Sequence, residues 1–160
     1  MEIKWPHEYH PSRTGVFVSN SLTVSARPPM LWAWMIRAQL WPTWYPNSAN
    51  VRFADGGGPD LRKGAKFRWK TFGVTLDSVV EEFIPHERLA WTARGIGVDA
   101  YHAWVFEEIP GGCRILTEET QNGCLARLGN LLMPNRMHHH HQIWLERLRD
   151  KALTGPPPGP

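Results

Sequence analysis

Cysteine is scarce in this chain: of 160 residues, only Cys113 and Cys124 carry a thiol. That gives no disulfide framework, so the fold must stand on an apolar core, and free thiols in a reducing cytoplasm are expected. Long apolar runs are missing too. The longest, Pro28 to Met35, falls far short of the roughly 20 residues that cross a bilayer, so no membrane span is expected. Met1 to Thr14 holds Lys4, Pro6, His7, Glu8 and Pro11 and no apolar segment, which does not read as a signal peptide and points to a cytoplasmic protein. Charge of one sign is not in large excess. A net charge of +3 with a pI near 9.1 is too mild to indicate a nucleic-acid partner, and none is expected. No Gly-rich phosphate loop, nucleophile elbow or paired-carboxylate motif is present, and no cofactor is expected.

Aromatic side chains are what the chain has in quantity. Nine Trp among 160 residues supply wide, rigid apolar walls, suited to a large core or to a pocket for a flat ligand. The length fits one domain. Residues 1–14 read as a loosely ordered arm, 15–153 as the domain, and 154–160 as a Pro-rich tail that cannot continue a helix.

Within the domain, Gly15 to Ala26 alternates Val18, Leu22 and Val24 with Ser19, Ser21, Thr23 and Ser25, the pattern of a half-buried strand. Pro28-Pro29 opens a short helix, and the Pro-broken, aromatic Leu40 to Asn47 reads as a second short helix or a tight connector. Asp55 to Pro59 is a loop. Lys66 to Thr71 places Phe67, Trp69 and Thr71 on one face and three cations on the other. Strands at Leu76 to Ile84, Arg88 to Arg94, Val98 to Glu107 and Cys113 to Gln121 follow, separated by turn residues. Cys124 to Leu153 is helical, with a stripe of Leu125, Leu128, Leu131 and Leu132, an interruption at Pro134, and a second stripe of Met137, His141, Trp144 and Leu148. Strands segregated from a terminal helix define an α+β domain with that helix laid on an antiparallel sheet.

The resemblance to a known family rests on an ordered set of segments. They are the strand-to-helix entry Val24 to Trp32, the Trp41 to Asn47 connector, Leu61 to Trp69 (LRKGAKFRW) and Pro85 to Trp91 (PHERLAW). The pairing of His102 to Phe106 with Gly111 to Ile115 follows, and then Thr117 to Thr120 before Gly123. From about Gly15 to Leu153 the chain resembles the START-like (SRPBCC) superfamily, and within it the polyketide cyclase/dehydratase and lipid-transport group. The resemblance implies a helix-grip fold: a curved antiparallel sheet wrapped around a long C-terminal helix, with two short helices after the first strand. It also implies a deep cavity between sheet and helix that takes a lipid, a sterol, a polyketide or an aromatic molecule.

Alternation turns Phe67, Trp69, Leu89, Trp91, His102, Trp104 and Phe106 toward one concave surface, which Trp34, Tyr45, Leu128 and Leu132 are placed to close. Two polar residues face the same way, His102 and Glu119. A His–Glu pair on neighbouring strands suits proton abstraction next to a carbonyl; equally, each residue can serve as a satisfied structural group or hold a ligand hydroxyl. The run His138 to His141 brings only its first and fourth imidazoles to one face, and no acidic or thiol residue stands at helical spacing to complete a ligand set, so no metal site is expected. Lys63, Lys66, Arg68 and Lys70 read as a solvated basic face.

Three functions fit these residues. The first is a binding module for a hydrophobic or aromatic small molecule. The second is a polyketide cyclase/dehydratase-like enzyme using His102 and Glu119, and the third a co-chaperone-like interaction domain, as some relatives of the fold are. A homodimer formed through a strand edge or the C-terminal helix is compatible with each.

Overall fold

Period-two alternation makes most of this molecule. The computed structural model describes residues 2–159, with the side chain of Asp55 excepted. Seven strands form one antiparallel sheet: β1 (Val16–Val24), β2 (Ala49–Phe53), β3 (Lys66–Thr71), β4 (Val74–Ile84), β5 (Arg88–Gly95), β6 (Val98–Ile109) and β7 (Gly112–Asn122). Their spatial order is β1-β7-β6-β5-β4-β3-β2, so β2 to β7 form a meander and β1 closes it by pairing with the last strand. Between β1 and β2 lie α1 (Pro28–Ile36), with Pro28 in its first turn, and a 3-10 segment, Ala38–Thr43. After β7 come α2 (Cys124–Leu132) and α3 (Arg136–Thr154). This is the α+β helix-grip arrangement expected: a curved antiparallel sheet against a C-terminal helix, with the two short helical segments after the first strand. Among the described residues, no helix is long and apolar enough to cross a membrane.

Four differences from the sequence-based expectation have physical causes. Strand β2 was not anticipated. It is short, sits on the sheet edge, and meets β3 through a register shift between Ala49 and Arg52, so it shows no clean alternation. The arm is not loosely ordered, because Tyr9 is buried and packs with Ile3 and Trp5 over Ala90, Tyr101, Ala103 and Val105 on the convex side of the sheet. The Tyr9 hydroxyl donates to Asp99 Oδ1 at 2.7 Å, and Thr120 Oγ1 donates to the Tyr9 carbonyl at 2.9 Å. An outer strand face carrying Ala, Tyr and Val needs such a cover.

The tail is also engaged, since Gly155 ends α3 and its carbonyl accepts a bond from Trp34 Nε1 at 2.7 Å. Finally, the leucine stripe of α2 faces solvent rather than the sheet: Leu131 is 78% and Leu132 68% exposed, with Leu125 and Leu128 near half. Gly123 sets that orientation. It adopts φ 108°, and a Cβ there would lie 2.3 Å from the Gly97 carbonyl oxygen, so the chain leaves β7 through a turn only glycine fits. Pro134, in the turn between α2 and α3, then separates the two stripes into two helices.

The stripe of α3 does face the sheet. Met137, His141, Trp144 and Leu148 are buried, and Asn20 Nδ2 of β1 donates to the His138 carbonyl at 3.1 Å. Trp144 sits at the centre of the core, stacked on Tyr45 at 4.3 Å and edge-on to Trp41 and Trp104 at 5.2 and 5.1 Å.

Candidate functional site

Strands β6 and β7 set the polar part of the site by register. His102 is the direct cross-strand partner of Glu119, and Thr117 and Gln121 share the Glu119 face because side chains alternate every second residue. From the opposite side α3 presents His141, four residues after Met137 and three before Trp144, on its buried stripe.

The side chains meet closely. Glu119 Oε2 lies 3.0 Å from His102 Nδ1 and 3.1 Å from His141 Nε2, and Glu119 Oε1 accepts from Gln121 Nε2. The second ring nitrogen of His102 is 2.7 Å from Thr117 Oγ1. The two imidazoles stack with centroids 4.7 Å apart, and Trp91 flanks His102 at 4.9 Å. His102, Glu119 and His141 are all buried, at 2%, 8% and 1% exposure.

Burial drives His102 down to about 3, opposed by Glu119 and aided by His141, so its ring is neutral near pH 7. Burial works to raise the Glu119 carboxyl, but His102, the hydrogen bond from His141 and the Gln121 amide outweigh it and hold the group down to about 2. The arrangement is a buried carboxylate that receives N–H donors from three side chains.

Beside this cluster lies a cavity of about 160 Å³. Tyr45, Trp69, Trp91 and Trp144 wall it, His102, Glu119, Gln121 and His141 supply its polar surface, and Leu125, Ala126, Gly129 and Met133 border it from α2 and the turn after it. The indole N–H groups of Trp91 and Trp144 are buried without a hydrogen-bond partner among the described residues.

Of the expected site residues, His102, Glu119, Tyr45, Trp69 and Trp91 therefore line one cavity. Trp34, Phe67, Leu89, Trp104 and Phe106 do not; they are buried in the surrounding core. Leu128 and Leu132 are corrected outright, since their α2 face points to solvent and their neighbours Ala126 and Gly129 border the cavity instead. Sequence reasoning missed His141 and Trp144 as site residues. Their signal was present in the buried stripe of α3, but only the tertiary fold shows which strand residues that stripe meets.

Fold and site together are those of a helix-grip domain with an aromatic-lined cavity and a polar cluster on its wall. Residues 16–153 match the family described as polyketide cyclase / dehydrase and lipid transport, and the chain belongs to that family. No curated protein matches it. Among solved structures it is similar to the hypothetical protein jhp0584 of Helicobacter pylori, at 31% identity and a TM-score of 0.88 over 95% of this chain and 96% of that one. The Zhui aromatase/cyclase of Streptomyces sp. R1128 shares the fold at 12% identity and a TM-score of 0.71, over 86% of this chain and 93% of that one. The di-domain aromatase/cyclase StfQ of the steffimycin biosynthetic pathway does so at 14% and 0.71, over 87% of this chain and 51% of that one.

Proposed function

We propose that this protein binds a small aromatic or otherwise apolar molecule carrying an oxygen acceptor, in the cavity between the sheet and α3. The cavity itself carries the reading: about 160 Å³ of space against three indoles and a phenol, with a polar cluster on the same wall. Size narrows the guest. A dry cavity of about 150 Å³ takes a benzene-sized molecule, so the enclosed part suits one ring, and a longer lipid or polyketide must displace α2. The polar side chains on the wall, His102, Gln121 and His141, are the groups beside which a carbonyl or hydroxyl oxygen would be held. The family description and the aromatase/cyclase neighbours support a guest of this class.

Native mass spectrometry of the purified chain, followed by denaturing extraction, tests this directly. A co-purifying apolar or aromatic molecule is the expected result. An empty protein that also ignores a panel of fluorescent apolar probes contradicts the reading.

One contact favours a second reading, an enzyme. His102 Nδ1 and Glu119 Oε2, 3.0 Å apart on the cavity wall, suit removal of a proton next to a bound carbonyl, as a cyclisation or dehydration requires. Once a carbonyl substrate is identified, His102→Gln and Glu119→Gln are each expected to lower its turnover by roughly 10² or more. Unchanged turnover in either variant removes that residue from the chemistry.

A further inference from the structure

We propose that His102, Glu119 and His141 form a binding site for a divalent first-row transition-metal ion such as Zn²⁺, with its open coordination positions facing the cavity. Two imidazoles and a carboxylate are the ligand set of three-ligand catalytic zinc and non-haem iron sites. Here each residue offers one donor atom, and all three atoms lie within 4.8 Å of one another. The donors come from β6, β7 and α3, so strand register and the buried helix stripe hold them, not a loop.

Two of the three donor separations, those from Glu119 to each imidazole, are close to what an ion needs. Tetrahedral zinc with ligands at about 2.1 Å separates its donors by roughly 3.4 Å. Glu119 Oε2 stands 3.0 Å from His102 Nδ1 and 3.1 Å from His141 Nε2. An outward shift of roughly 0.4 Å at each contact makes room for the ion.

With an ion bound, the protons on His102 Nδ1 and His141 Nε2 move to the other ring nitrogens, and two neighbours are placed to act as outer-shell partners. Thr117 Oγ1 meets the other ring nitrogen of His102 at 2.7 Å, and Gln121 Nε2 donates to the other oxygen of Glu119. Such contacts fix the tautomer and the orientation of metal ligands. A dication also compensates the burial of a carboxylate and two imidazoles inside an apolar core. All three residues line the cavity, so an ion held by them keeps positions free for water or a guest oxygen, which it would polarise as a Lewis acid.

The run His138 to His140 is a different feature. His138 and His139 are exposed on α3 and can capture metal at the surface, so the test has to separate the two. The full-length chain is stripped with chelator, then titrated with Zn²⁺ by calorimetry and with Co²⁺ by visible absorption. The expected result is one tight equivalent and the ligand-field bands of four- or five-coordinate cobalt. Glu119→Gln and His141→Gln are expected to abolish that equivalent, and Thr117→Val to weaken it by about 10- to 100-fold. The double variant His138→Gln/His139→Gln is expected to retain it.

No stoichiometric binding overturns the proposal. So does an equivalent that survives Glu119→Gln but disappears with His138 and His139. If Glu119→Gln fails to fold, the double variant still decides: a cobalt spectrum in that background supports the buried site, and its absence overturns it. The titration uses no organic guest, so its outcome stands apart from whether the cavity binds one.

Discussion

Cys113 and Cys124 stand in opposite environments, one buried and one exposed. Cys113 is buried on β7, where burial pushes its thiol up to about 11, while Cys124 is exposed at the start of α2. Thiolate is the reactive form, so burial both hides Cys113 and suppresses its reactive form, while Cys124 is open to solvent. A chromogenic disulfide reagent at neutral pH is expected to titrate one thiol in the folded protein and two in denaturant. Two fast thiols in the folded protein contradict the placement of Cys113. Trp144 is fully buried among the aromatic side chains of the core. It meets Tyr45, Trp41, Trp69, Trp91 and Trp104, so Trp144→Ala is expected to cost about 3–5 kcal/mol in denaturant unfolding. A loss below about 1 kcal/mol would mean that its neighbours collapse into the space. At this scale the inward facing of His102 and Glu119 was legible from alternation alone, because one cross-strand pair obeys a period of two. His141 was not. A residue 22 positions from Glu119 in the chain meets it only after α2 and the Pro134 turn have swung α3 back over the sheet.

The helices and the arm show where pattern reading stops. Strand β3 was readable to the residue, since its burial alternates without a break from Lys66 to Thr71. The leucine stripe of α2 was equally regular, yet it faces water, because periodicity gives a helix a face without saying which way that face turns. Substitution separates the two situations. Leu131→Lys and Leu132→Lys together are expected to change unfolding free energy by less than about 1 kcal/mol, in keeping with exposed positions. A larger loss would place these residues in a contact the fold does not provide. The arm gives the opposite expectation. Tyr9 stacks on Tyr101 at 5.5 Å and joins Asp99 and Arg94 through its hydroxyl, so Tyr9→Ala is expected to destabilise by about 3 kcal/mol. If urea denaturation instead finds the variant as stable as the parent, the arm does not cover the sheet. A cue to this cover lay in β5 and β6, whose outward Ala90, Tyr101, Ala103 and Val105 are too apolar for a face left to solvent.

For the molecule as a whole, the sheet wraps α3 tightly enough that most of the predicted aromatic wall became core. Phe67, Trp104 and Phe106 are buried but stand away from the cavity, which keeps Tyr45, Trp69 and Trp91 from that set and gains Phe72 and Trp144. The sequence could show which side chains turn inward. It could not show how much space remains between them, because volume depends on the crossing of α3 over the sheet and on packing contributed by all the elements. The central claim is that this remaining space receives a one-ring guest. Labelling the nine tryptophans with 5-fluorotryptophan and adding a single-ring ketone such as acetophenone, followed by ¹⁹F NMR, tests it with a separate reporter at each indole. The expected result is a saturable shift of the Trp69, Trp91 and Trp144 resonances, while Trp5, Trp32 and Trp34, which lie away from the cavity, stay in place. Resonances that all remain fixed, or a shift confined to the tryptophans away from the cavity, would contradict it.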